Sequence, residues 1–292
     1  MLLIFVVALI TVNINQAVAD GNCQSPIDIS SSFCSECPLH FRRPLKYDGY
    51  WGDATAVIIN NGHTVSISLE GTDCNPTLSG GPLNGEYVFS SAHFHWGDDD
   101  EEGSEHTINS RSYSMEAHLV HYKRSYGSLE SAKGHPNGLA VVGVLIEVTN
   151  ERDIGKHGNK EFRTLTDNLH RIQSVNETMT SDAHSTMKWF HKKPYGYFAY
   201  NGSLTTPPYS EVVTWLLYEH PVSISSLQAE EFRNTIHEAN FRNTQTLNRR
   251  QVFHCGSSHS PLFCTKSPAY RFSDMCPLNF NNPQFDDYEN NL

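Results

Sequence analysis

The feature that most constrains this chain is the repeated interruption of short apolar runs by Gly, Asn and Pro. Turn signals recur at Asn60-Asn61-Gly62, Ser79-Gly80-Gly81-Pro82 and Thr206-Pro207-Pro208. Between such breaks lie Ala56–Ile59, Thr64–Leu69, Tyr87–Trp96, Ser114–Tyr122, Leu139–Val148, Tyr197–Tyr200 and Val212–Tyr218. These runs suit strands, because β-branched and aromatic side chains pack well on a pleated surface. Helical spacing occurs in Glu161–Ile172, where Phe162, Leu165, Leu169 and Ile172 share one side, and again in Ser226–Ala239. No internal repeat and no Pro/Ser linker divides the chain. The expectation is a mainly β single domain. It would be built on a large, twisted, mostly antiparallel sheet of about ten strands, with a few short peripheral helices.

The ends read differently from the middle. Leu2–Val12 is apolar but too short to span a bilayer, and Ala17-Val18-Ala19 forms a small-x-small cleavage site. Residues 1–19 are therefore expected to be a signal peptide, 20–276 the domain, and 277–292 a polar C-terminal tail. That organisation predicts a secreted, extracellular protein with no membrane anchor. The net charge of -11 argues against nucleic acid as a partner, which requires a basic face. Seven cysteines in an oxidising compartment read as disulfides. They cluster near both ends, so bridges from Cys23–Cys37 to Cys255–Cys276 are expected. Asn176-Glu177-Thr178 and Asn201-Gly202-Ser203 are glycosylation sequons, Asn176 being the less crowded. The run Asp98–Glu102 is expected to be a solvated loop, with calcium or mineral contact as the alternative.

Chemistry enters with His93-Phe94-His95, which lies in a strand-like run. Residues two apart on a strand point to one face, so both imidazoles can reach one metal while Phe94 packs on the other side. Glu116-Ala117-His118-Leu119-Val120-His121 is a second alternating run. A neighbouring strand would let His118 complete a set of three. Three neutral imidazoles around Zn2+ leave a position open for water, an arrangement suited to catalysis. Glu116 shares the face of His118 and can orient its ring. His121 points the other way and is assigned to packing or core hydrogen bonding, not to the metal.

In order, the stretches Gln24-Ser25-Pro26-Ile27, Asn61-Gly62-His63, His93-Phe94-His95-Trp96-Gly97, Gly103-Ser104-Glu105-His106-Thr107, Glu116 to His121, Gly202-Ser203-Leu204-Thr205-Thr206-Pro207-Pro208 and Asn248-Arg249-Arg250-Gln251 resemble the alpha-class carbonic anhydrases, secreted type. The resemblance implies hydration of carbon dioxide to bicarbonate and a proton by zinc hydroxide. His93, His95 and His118 would hold zinc. Thr205 would accept a hydrogen bond from the nucleophile and pass its own proton toward Glu105. Thr206 would position water and bicarbonate. Val120, Val141, Leu204, Val213 and Trp215 would form the apolar wall for carbon dioxide. His63 would shuttle the proton, as suits a group that loads and unloads near neutral pH. Asn61, Ser66 and Tyr200 would line the water path. Sulfonamide and anion inhibitors are expected partners of such a site.

The sequence departs from the family in three places. Ser91 stands where a Gln often supports the first zinc histidine, so weaker support of that ring is expected. Only Asp20–Cys23 separate the expected cleavage site from Gln24, where relatives carry an aromatic-rich segment. Tyr209 occupies the place of a cysteine that secreted relatives pair with an early one. The rival reading is a catalytically weak scaffold that binds calcium or mineral. The complete histidine set, with Glu105, Thr205 and Thr206, favours the enzyme.

Overall fold

The computed structural model describes residues 21–71, 75–150 and 158–256. The expected leader and tail, with Cys74, Cys264 and Cys276, lie outside the described residues. The strands in chain order are β1 (Asp28–Ile29), β2 (Ser35–Glu36), β3 (Lys46–Asp48), β4 (Thr55–Asn60), β5 (Val65–Glu70), β6 (Thr77–Ser79), β7 (Tyr87–Trp96), β8 (Thr107–Ile108), β9 (Met115–Lys123), β10 (Leu139–Val148), β11 (Thr178–Asp182), β12 (Tyr197–Gly202), β13 (Val213–Tyr218), β14 (Val222–Ile224) and β15 (Phe253–Cys255). Each of the seven expected runs is a strand, with ends shifted by two residues at most.

Among the described residues the main sheet has thirteen strands, in the order β11-β4-β5-β7-β9-β10-β13-β12-β15-β2 with β14, β3 and β6 attached beside this path. The strands beyond the seven expected are mostly two or three residues long, too short for alternation to reveal them. Pairing is mostly antiparallel, but β10 runs parallel to β13 and β14, and β15 parallel to β2.

The sheet divides the interior in two. Ala92, Phe94, Ala117, Leu119, Val142 and Val144 belong to the larger cluster on one face. Val120, Val141, Val213, Trp215 and Leu217 belong to a second cluster on the other. Strict alternation along β7, β9 and β10 produces this division, since adjacent residues project oppositely. A register shift between Phe89 and Ser91 adds one residue to β7, so Phe89 opposes His121 while Ser91 opposes Val120.

The helices are short. Phe162, Leu165, Leu169 and Ile172 are all fully buried, yet the expected helix is broken into an α-turn at Arg163–Thr166 and a 3-10 turn at Leu169–Arg171. The Asn168 side chain donates to the Thr164 carbonyl at 3.1 Å and competes with the helical bonding at that point. Ser226–Thr235 is a true helix, opened by a capping box between Ser225 and Gln228. It stops four residues before the expected end because Ile236 is extended. A disulfide joins Cys37 to Cys255, linking the early and late cysteine groups. No helix among the described residues is long and apolar enough to cross a membrane.

Candidate metal centre

β7 and β9 are antiparallel neighbours, and His93 lies directly opposite His118. His95 is one pleat further along β7, opposite Glu116. Two histidines from one strand and one from the next therefore meet on the same face. Their ligand nitrogens all lie within 4.8 Å of one another. His95 Nε2 is 3.1 Å from His118 Nδ1.

The remaining ring nitrogens decide which way the lone pairs face. His95 Nδ1 is held by the Asn240 carbonyl at 2.9 Å. A carbonyl only accepts, so this nitrogen carries the proton and Nε2 presents its lone pair inward. His118 Nε2 donates to Glu116 Oε1 at 2.8 Å, which turns its Nδ1 inward in the same way. His93 makes no such bond among the described residues. Ser91 is on its face of β7 but does not reach its ring.

Burial favours the neutral imidazole. It pushes His93 well below the ordinary histidine range, and the nearby His95 and His118 add to the effect. Burial also lowers His95 and His118, although Glu116 opposes it in both. The donor set is thus three neutral nitrogens facing one point. That chemistry fits zinc with an open coordination position.

Glu116 holds a buried chain behind His118. Its Oε1 also accepts from His106 Nδ1 at 2.7 Å, and its Oε2 accepts from the His106 backbone N–H at 2.7 Å. Burial alone would raise the Glu116 carboxyl, but His106 and His118 outweigh it and hold the group well below the usual carboxylate range. The chain continues from His106 Nε2 to the Tyr200 hydroxyl at 2.6 Å, and from Tyr200 to Ser25 Oγ at 2.8 Å. Gly143 faces His118 across β9 and β10. A Cβ there would stand 3.1 Å from Glu116 Oε1 and 2.7 Å from Leu217 Cδ1, so the glycine makes room for the carboxylate.

Glu105 is a second buried carboxylate beside the histidines. Its Oε1 accepts from the Arg242 backbone N–H at 2.9 Å and stands 3.5 Å from His95 Nδ1. Burial raises its pKa to about 7, against the pull of His118 and Thr205. Oε2 makes no hydrogen bond among the described residues and stands 3.9 Å from His118 Nδ1. Thr205 is 8% exposed, whereas Thr206 beside it is exposed.

The other expected residues fall into three groups. Val120, Val141, Val213 and Trp215 are buried in one apolar cluster, and Leu204 packs against it half-buried. The Trp215 ring centroid is 4.8 Å from that of His118, so this wall adjoins the histidines. His63 is exposed on the β4–β5 turn with Asn61, and Ser66 pairs with His93 across β5 and β7. Tyr200, expected on the water path, is instead 3% exposed behind His106. Its aromatic ring lies parallel to Trp215 within the apolar cluster, which leaves the hydroxyl only buried partners.

One further expectation is corrected by local bonding. The acidic run is not wholly solvated: Asp100 is paired with Arg233 at 2.8 Å and accepts from Ser226 Oγ at 2.6 Å. His121 is fully buried and bonded to the Tyr50 hydroxyl and the Ala140 carbonyl, which places it in the core on the face away from the metal histidines. His106 and Asn240 were not singled out from the sequence. His106 sits inside a recognisable stretch but carried no pattern of its own. Asn240 had no signal at all.

Comparison with known proteins places this geometry. The family described as eukaryotic-type carbonic anhydrase matches residues 13–256. The chain is similar to carbonic anhydrase 7 of Mus musculus, with 36% identity over 246 residues, covering 80% of this chain and 89% of that protein. It is 35% identical to carbonic anhydrase 7 of Homo sapiens over the same length and coverage.

Proposed function

We propose, from the premise that this chain belongs to the eukaryotic-type carbonic anhydrase family, that its enzymatic activity runs through His93, His95 and His118 as zinc ligands, Thr205 and Glu105 as the orienting pair, and His63 as the proton shuttle. The family catalyses zinc-dependent interconversion of carbon dioxide and bicarbonate and is inhibited by sulfonamides. The observation that carries the assignment is the convergence of three neutral imidazole nitrogens, two of them with the opposite ring nitrogen already engaged. Bound there, zinc supplies the Lewis acidity that makes a water nucleophilic near neutral pH.

The chain's own residues do the rest. Thr205 accepts a hydrogen bond from the nucleophilic oxygen and directs its own hydroxyl proton to Glu105. This fixes which lone pair faces the substrate. Burial of Glu105 beside Thr205 supports that role. Carbon dioxide has no net dipole, so an apolar wall suits it better than a polar pocket. Val120, Val141, Leu204, Val213 and Trp215 supply such a wall beside His118. Thr206, exposed next to Thr205, positions the leaving bicarbonate. His63, exposed on its turn, carries the released proton to solvent, with Asn61 and Ser66 along the way.

The enzyme works outside the cell in this reading. The leader-like residues 1–19 and the Cys37–Cys255 disulfide support secretion. Asn176 carries an N-linked glycan: it is exposed on a turn, whereas Asn201 lies within β12 with its carbonyl bonded to Arg250. The deciding experiment is the stopped-flow rate of carbon dioxide hydration by the zinc-loaded mature protein. A fast rate lost on zinc removal is expected. A folded, zinc-loaded protein no faster than buffer overturns the catalytic assignment and favours the scaffold.

A further inference from the structure

The turn that carries His63 settles its own donors. The N–H of Gly62 is accepted by Asn60 Oδ1 at 2.9 Å. The N–H groups of His63 and Thr64 are both accepted by Asn61 Oδ1, at 2.9 and 2.8 Å. The Thr64 carbonyl accepts from the Asn61 N–H at 3.2 Å. The His63 carbonyl accepts from outside the turn, from Asn240 Nδ2 at 2.8 Å.

Asn240 is tied equally firmly to the histidine strand. The same Nδ2 donates to the Phe94 carbonyl at 3.1 Å, and Oδ1 accepts from the Trp96 N–H at 2.7 Å. Its backbone N–H donates to the Trp96 carbonyl at 3.1 Å, and its own carbonyl receives His95 Nδ1. The side-chain amide can be oriented only one way, because its oxygen must meet an N–H and its nitrogen must meet two carbonyls.

We infer that the Asn240 side chain is a positioning residue for proton export, holding the main chain of His63 to the strand that bears His93 and His95. The inference rests on the reading of His63 as the shuttle. A shuttle histidine must turn its ring between the site and solvent without losing its distance from the site. The His63 ring is exposed and makes no hydrogen bond among the described residues, while its backbone is bonded on both sides. Rotation is left to the side chain, and the anchor point stays fixed. The contact to His95 comes from the Asn240 backbone, so a side-chain substitution removes the tie to His63 and keeps the tie to the metal ligand.

Two variants test this. Asn240→Ala deletes both side-chain functions. Asn240→Asp keeps an acceptor for Trp96 but cannot donate to His63, and it covers the case in which the alanine variant fails to fold. In weak buffer, kcat for carbon dioxide hydration should fall about tenfold, part of the ~100-fold or more that a positioned proton-transfer group contributes. kcat/KM should hold, because it reports the chemical step rather than proton export. Added imidazole should restore kcat by carrying the proton itself. In the zinc-free protein, hydrogen exchange of the Gly62, His63 and Thr64 amides should quicken about tenfold, since the turn has lost its outer anchor. Equal falls in kcat and kcat/KM, or unchanged exchange in the turn, overturn the inference. His63→Ala separates the two levels. If it slows buffer-limited kcat and neither Asn240 variant does, only the inference fails. If His63→Ala has no effect, the shuttle reading and the inference fall together.

Discussion

His118 and His121 lie three residues apart on β9, and both are buried imidazoles held neutral by loss of solvent. Their surroundings make them different residues. His118 faces His93 and His95, and its outer nitrogen is bonded to a carboxylate. His121 faces Tyr50 and the Ala140 carbonyl, so both of its nitrogens are used within the protein. Burial alone therefore does not make a ligand. What matters is whether a lone pair is left over and whether others meet it at one point.

The comparison breaks most sharply on substitution. His118→Ala should remove zinc and abolish hydration. The drop in zinc affinity should exceed the ~100-fold that loss of an outer partner costs. Metal analysis after dialysis checks this. His121→Ala should do the reverse. It leaves the Tyr50 hydroxyl and the Ala140 carbonyl unpaired and opens a cavity, costing about 3 kcal/mol of stability. Zinc content and hydration rate per folded molecule should stay near wild type. Loss of zinc in this second variant would show that the two faces are not independent. Between these extremes, Glu116→Gln should weaken zinc by about 10- to 100-fold, because the amide gives His118 and His106 a poorer acceptor than the carboxylate.

Acid sharpens the same contrast. Burial lowers the His121 pKa to about 4, whereas an unfolded histidine titrates near 6.5. Below pH 6.5 the unfolded chain takes up a proton that the folded one refuses until about pH 4. Wild type therefore loses stability as pH falls through this window, by up to about 1.4 kcal/mol per pH unit. His121→Asn lacks this group. Its deficit relative to wild type should shrink from pH 6.5 to pH 4 in urea unfolding curves. A deficit independent of pH would show that His121 is not the group responsible.

The contrast also explains what could be read before the fold was known. Alternation assigned His93, His95, Glu116 and His118 to one face and His121 to the other, because a strand has a period of two. It also placed the seven long runs. It could not find Asn240, whose carbonyl meets His95 from 145 residues away. Nor could it place Tyr200, whose position depends on β12 pairing with β13 beside Trp215 rather than on its own neighbours. The broken helix after Phe162 failed for a local reason. Apolar spacing reports which side is buried, but not that Asn168 takes a carbonyl from the helix. Burial was legible, and hydrogen-bond partners distant in sequence were not.

The smallest expected effect lies within the histidine set itself. His95 and His118 have their outer nitrogens held, and His93 does not. An unsupported ring spends part of its binding energy on being oriented, so His93 is the weakest point of the site. Ser91 shares its face of β7 but is too short to reach it. Ser91→Gln lengthens that side chain by two carbons and supplies an amide oxygen for the free N–H. Zinc affinity should rise by less than about tenfold, the low end of what an outer partner contributes. Competition with a chelator at fixed pH measures the change. Unchanged affinity would mean that the β7–β9 pairing already orients His93, so that the three ligands differ in their bonds but not in their hold on the metal.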